Sequence, residues 1–212
     1  MCEKKVSITE LGNPRKPQGD AGIEMLVGMN QHHYAVTGWA LGFFEFSDND
    51  TALDIGCGGG ETLHRLSESI KNGKIYGVDY SEVSVRLSTE RNKTDVESGK
   101  ASVLDASVEA LPFDDCFFDK IITVESFYFW PDPAENLKEV YRVLKNGGRF
   151  LIVADINGDA CLDEEDIEGI RKYGLFNPTL EQFRQLLMGA GFRNVVIHTK
   201  DGKKCVCAEG NK

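Results

Sequence analysis

The chain has 212 residues, 34 acidic against 24 basic side chains and a formal charge of −10. That balance argues against a nucleic-acid or anionic-membrane partner, because phosphate surfaces are held mainly by clustered Lys and Arg. A chain of this length buries roughly 70% of its unfolded surface, so no metal or disulfide staple is needed and none is expected.

Met1 to Lys16 is polar, and no apolar run reaches the ~18 residues of a membrane span. We therefore expect a cytoplasmic protein, a monomer or homodimer. The six cysteines, Cys2, Cys57, Cys116, Cys161, Cys205 and Cys207, are scattered. Cys205 and Cys207 form a CxC pair on an expected strand, but no second Cys or His pair stands at ligand spacing. Free thiols in a reducing compartment follow.

Residues 1–20 carry two proline stretches and no periodicity, and read as a loose arm. From Ala21 to Phe46 the chain becomes rich in apolar and aromatic residues, which predicts one or two short helices. With no strand partner of their own, these helices suit a lid on the 47–212 core of one domain spanning 21–212.

Strand–helix alternation then begins. Strands are predicted near Thr51–Ile55, Lys74–Val78, Ala101–Leu104, Phe118–Val124 and Arg149–Ala154, with two more near Asn194–Thr199 and Lys204–Ala208. Helices are predicted from Glu61, from Glu82 behind a Ser81 cap, from Asp132-Pro133 to about Leu144, and behind Asn177-Pro178-Thr179. Gly147-Gly148 is read as the helix stop before the fifth strand. Asp201-Gly202 signals a closing hairpin. The pattern predicts an α/β, Rossmann-like doubly wound sheet of seven mostly parallel strands, with a C-terminal antiparallel hairpin strand and an N-terminal helical lid.

The richest local signal is Leu53-Asp54-Ile55-Gly56-Cys57-Gly58-Gly59-Gly60-Glu61-Thr62. A strand that turns through glycines into a helix leaves free backbone N–H groups and a positive dipole end facing a ligand. A dinucleotide loop wants a third glycine where Glu61 stands, and no Walker Lys-Ser/Thr pair follows. Acids end three strands, at Asp54, Asp79 and Asp105. A pyrophosphate is repelled by that charge, whereas a ligand bearing an ammonium, a sulfonium and a ribose diol is attracted. S-adenosylmethionine fits.

The run Leu53 to Thr62, followed by Val78-Asp79-Tyr80-Ser81, Asp105-Ala106, Leu111-Pro112-Phe113-Asp114 and Leu137 to Gly148, resembles the class I S-adenosylmethionine-dependent methyltransferases. It is most similar to the ubiquinone/menaquinone-biosynthesis-like, small-molecule branch, over roughly residues 51 to 154. Asn146 departs from the commoner Lys-Pro-Gly-Gly turn.

The resemblance implies cofactor contacts. Gly56, Cys57 and Gly58 would face the methionine part, with Asp54 near its ammonium. Asp79 would accept from the ribose diol, as a carboxylate can. Tyr80 would lie against the adenine, Asp105 would accept from its amino group, and the Ala106 amide would meet a ring nitrogen. Glu125, after the fourth strand, would face cofactor and acceptor, or else be a solvated loop acid.

Methyl transfer needs alignment and a dry site more than a catalytic group, so a base is hard to read. His32, His33, Tyr34 and Glu125 are the candidates. The Phe127-Tyr128-Phe129-Trp130 run serves either as core or as an apolar wall for the acceptor. Asp155 to Asp166 imitates a calcium loop but has Ala160 at the turn position and Asp166 where a Glu belongs, so it is read as a solvated acidic insert. The expected function is methyl transfer to an unidentified small-molecule acceptor; the alternative is a non-catalytic S-adenosylmethionine-binding regulatory module.

Overall fold

A computed structural model describes residues 6–212. Cys2 lies outside them. Seven strands form one sheet in the order β3-β2-β1-β4-β5-β7-β6. These are β1 (Thr51–Ile55), β2 (Lys74–Asp79), β3 (Ala101–Asp105), β4 (Phe118–Val124), β5 (Leu144–Ala154), β6 (Arg193–Thr199) and β7 (Val206–Asn211). The first five run parallel, and β7 enters antiparallel between β5 and β6. The order reverses between β1 and β4, which opens a crevice at the carboxyl ends of those strands.

Nine helices among the described residues flank the sheet. Four precede or follow β1: α1 (Ile8–Gly12), α2 (Gly19–His32), α3 (Tyr34–Leu41) and α4 (Glu61–Ser69). The others are α5 (Glu82–Arg91), α6 (Lys93–Glu97), α7 (Pro133–Val143), α8 (Glu164–Tyr173) and α9 (Leu180–Gly189). Successive side chains of a strand face opposite ways, and β5 shows what this does. Phe150 and Ile152 enter a core layer with Leu137, Val140, Phe183 and Leu187 of α7 and α9. Leu151 and Val153 enter the other, with Ala40 and Leu41 of α3 and Leu63 and Leu66 of α4. Both faces being covered explains why the strands read as continuous apolar runs.

Several expectations change. The segment read as a loose arm carries α1 and the start of α2, and its Ser7 side chain caps α1 through the Glu10 amide. Helix α7 stops at Val143, and β5 begins at Leu144, five residues before the predicted Arg149. Leu144 is fully buried and pairs with Phe118 of β4, so sheet pairing overrides the local glycine signal. Gly147-Gly148 therefore lies within the strand. The acidic insert contains α8, whose Asp163 and Asp166 form a capping box and both bind Lys204. The acids of the apparent calcium loop are thus committed to a helix cap. The hairpin strand β7 starts at Val206 and runs to Asn211, later than read. No helix among the described residues is long and apolar enough to cross a membrane.

Candidate active site

The glycine loop runs from the end of β1 to the start of α4. Gly56 has φ of 74°, and a Cβ there would stand 2.5 Å from the Ser126 side chain. Gly60, at φ of 79°, precedes α4 and packs on Ser88 and Asn92 of the α5 end, again with no room for a Cβ. These two positions require glycine because they combine left-handed backbone with close approach. The loop is pinned by the Gly56 and Cys57 amides donating to the Val78 carbonyl at 2.8 and 3.1 Å. From above, the Asn30 amide of α2 donates to the Gly59 carbonyl at 3.0 Å.

Asp79, ending β2, ties loop to strand. Its carboxylate accepts from the Gly58 amide at 3.0 Å and the Ser81 amide at 2.9 Å. Burial raises its pKa against the pull of those amides. Asp54 lies under the loop, 1% exposed, and neither carboxylate oxygen has a hydrogen-bond partner. Burial first, then Asp79, pushes its pKa up to about 8. An orphaned buried carboxyl beneath a glycine loop fits a ligand that carries positive charge.

These groups border a cavity of about 610 Å³, within the ordinary range for small-molecule sites. Gly56, Cys57, Gly58, Asp79, Tyr80 and Ala106 line it. So do Glu125, Tyr128 and His33. Glu125 follows β4 with φ of 56°, an uncommon conformation for a non-glycine residue. Its Oε2 accepts from the Tyr128 hydroxyl at 2.7 Å, while Oε1 has no partner. Burial first, then Asp155, pushes the Glu125 pKa up to about 8, and burial and Glu125 raise that of Tyr128.

Four sequence candidates lie off the cavity wall, among them His32, whose side chain is 75% exposed. Asp105 is exposed at the end of β3 and does not line the cavity; Asp54 is behind the loop rather than on the cavity wall. Tyr34 points outward, 55% exposed, with the Arg65 guanidinium over its ring at 4.3 Å.

His32 and His33 both turn toward Asp155, which follows β5, at 3.7 and 3.6 Å. Burial and His32 lower the His33 pKa to about 4. The aromatic run serves both purposes: Phe127 and Trp130 belong to the core, and Tyr128, Phe129 and Trp130 line the cavity.

Sequence reading missed the segment that closes the cavity. Arg15 and Pro17 line it. The Arg15 guanidinium donates to the carbonyls of Phe129, Tyr173 and Gly174, and its own carbonyl accepts from the Tyr80 hydroxyl. The Pro17 carbonyl accepts from the Ser81 hydroxyl at 2.7 Å. Carbonyl acceptors carry no sequence signature, so the composition of this stretch could not reveal the strap.

The cavity at the switch point of a sheet in this order, with an acid ending β2, defines a methyltransferase-type α/β protein. The family described as a methyltransferase domain matches residues 53–152. The chain is 26% identical over 176 residues to the uncharacterized methyltransferase YdaC of Bacillus subtilis (strain 168), covering 82% of this chain and 90% of that one. It is 34% identical over 102 residues to the demethylmenaquinone methyltransferase of Lactococcus lactis, covering 48% of this chain and 40% of the relative. The crystal structure of a SAM-dependent methyltransferase from Aquifex aeolicus has the same fold, with a TM-score of 0.73 and 20% identity over 91% of this chain and 98% of that one. The family match spans just under half of the chain, and the likeness of sequence and fold supports a class I S-adenosylmethionine-dependent methyltransferase with S-adenosylmethionine as its cofactor. None of these comparisons supports a non-catalytic binding module.

Proposed function

We propose that the chain methylates a small-molecule acceptor that is neutral or cationic. The carrying observation is that one cavity is lined both by the glycine loop with Asp79 and by Glu125, Tyr128 and His33. When bound, the cofactor supplies an electrophilic methyl on a sulfonium, and transfer is an in-line displacement. Gly56, Cys57 and Gly58 would hold its methionine part, with Asp54 acting only from behind the loop, Asp79 would hold its ribose, and Tyr80 and Ala106 its adenine. For Asp105 an adenine contact has no support from its exposed position.

The residues of the chain then contribute alignment and exclusion of water. Tyr128, Phe129 and Trp130 give the acceptor an apolar wall, and the Arg15 strap covers the mouth. His33 and Glu125 stand where an acceptor would meet polar groups; His32 and Tyr34 are less well placed to touch it. Six acidic residues line the cavity; of these Glu61 is paired with Arg91, Asp166 with Lys204, and Glu125 has its pKa raised to about 8. The others, Asp79, Glu109 and Glu165, share the lining with one guanidinium, Arg15, already bound to three carbonyls. That balance disfavours an anionic acceptor. Five free cysteines among the described residues support a reducing, cytoplasmic setting.

The test incubates the full chain with methyl-labelled cofactor and a panel of amines, phenols, thiols and carboxylates. Methyl transfer to an uncharged or cationic member is expected. Tight cofactor binding with no transfer to any member counts against an enzyme, and preference for carboxylates counts against the charge argument. Asp79→Ala should weaken cofactor binding at least tenfold by calorimetry; unchanged binding would remove Asp79 from the ribose role.

A further inference from the structure

We propose that His32, His33 and Asp155 form a three-ligand site for a divalent transition-metal ion of the zinc type, on the acceptor side of the cavity. One ligand atom from each residue lies within 4.8 Å of the other two. The Nε2 atoms of His32 and His33 stand 3.7 and 3.6 Å from the same oxygen, Asp155 Oδ2. Those separations are too long for hydrogen bonds. They are close to the spacing of two ligands on one ion, since bonds of about 2.0–2.2 Å in tetrahedral arrangement put ligand atoms about 3.3–3.6 Å apart.

The backbone holds the ligands in place from two sides. His32 ends α2 and His33 is the single residue between α2 and α3, so their rings diverge, with centroids 5.0 Å apart and planes at 81°. Edge-to-face imidazoles can aim both Nε2 atoms at one point without clashing. Asp155 immediately follows Ala154 of β5, a strand buried in the middle of the sheet. The carboxylate is therefore fixed to the most rigid part of the molecule, and the histidines to the helical joint packed over it.

Charge points the same way. Among the described residues Asp155 has no Lys or Arg partner, and the carboxyl of Glu125 is a further repulsive neighbour. A divalent cation would compensate that local negative charge, which two imidazoles alone do not. Two histidines and one carboxylate suit a borderline ion rather than calcium or magnesium, which take oxygen ligands. His33 and Ile156 line the cavity wall beside the site, so the ion would offer an open position to an acceptor hydroxyl, amine or thiol. Asp155 is separated from the two adjacent histidines by more than half of the chain, and ligand spacing along the sequence could not show the three together.

The experiment titrates zinc alone into metal-stripped full-length protein by calorimetry and records the absorption spectrum with cobalt in its place. One equivalent of zinc is expected, with a cobalt spectrum free of thiolate charge-transfer bands. His32→Ala and Asp155→Asn should each weaken zinc at least tenfold, and Cys205→Ser should change nothing. His32 is 75% exposed, so His32→Ala should melt like the parent in chelator and decides the matter even if Asp155→Asn misfolds. The proposal falls if zinc does not saturate, if binding survives His32→Ala, or if Cys205→Ser abolishes it.

Discussion

At the scale of single residues, the site depends on carboxyl groups placed where carboxyl groups are costly. Asp54 is the clearest case, buried without a hydrogen-bond partner and with its pKa raised to about 8. A folded-state pKa above the unfolded value means that folding binds a proton. The stabilising contribution is complete below about pH 4 and is lost as pH climbs toward about 8. Without cofactor, the parent should therefore lose stability relative to Asp54→Asn as pH rises from 5 to 8, by at most about 1.4 kcal/mol per unit. Chemical denaturation of both proteins at pH 6 and pH 8 measures this. Parallel pH dependence in the two would show that Asp54 is not the group being deprotonated. Removing Asp79 has a different physical basis. It leaves the Gly58 and Ser81 amides without their acceptor, so Asp79→Ala should also lower stability by about 1–3 kcal/mol.

Among the elements, the N-terminal segment governs access. It crosses the cavity between Tyr80 and Phe129 and is tied down mainly through backbone carbonyls. Arg15 links it to Tyr173 and Gly174 at the end of α8. Arg15→Ala should leave the fold intact, because the residue touches the rim and not either core layer. We expect it to raise the cofactor dissociation rate several-fold, seen in stopped-flow displacement, with little change in melting temperature. An unchanged rate would mean that the strap does not close over the bound molecule. Helix α2 acts from the other side, where Asn30 holds the Gly59 carbonyl.

For the molecule as a whole, stability resides in the two layers on either side of the sheet. Phe150 is fully buried between β5 and the α7–α9 layer, with Phe192 5.5 Å away ring to ring. Phe150→Ala should cost about 3–5 kcal/mol, measured by denaturant unfolding. Trp130 of the cavity wall belongs to that same layer, and Tyr128 and Ala106 pack against it, so methyl transfer should fall at least as far as the folded fraction does. Activity lost while the protein remains folded would mean that the core layer positions the site directly.

The strand–helix order, the glycine loop and the acids ending β1, β2 and β3 were readable because each is a local pattern. Apolar runs mark buried strands, and left-handed turns demand glycine. That information sufficed for the seven-stranded fold and the donor molecule. What only the tertiary structure decided depends on groups far apart in sequence. The Arg15 strap uses main-chain carbonyls, which every residue has. Tyr34 was turned outward beneath Arg65, and Asp105 was left in solvent. The start of β5 was decided by pairing with β4, stronger than the turn chemistry of Gly147-Gly148. The meeting of His32, His33 and Asp155 needed a helix joint to close over the end of a central strand, a relation that no spacing along the chain encodes.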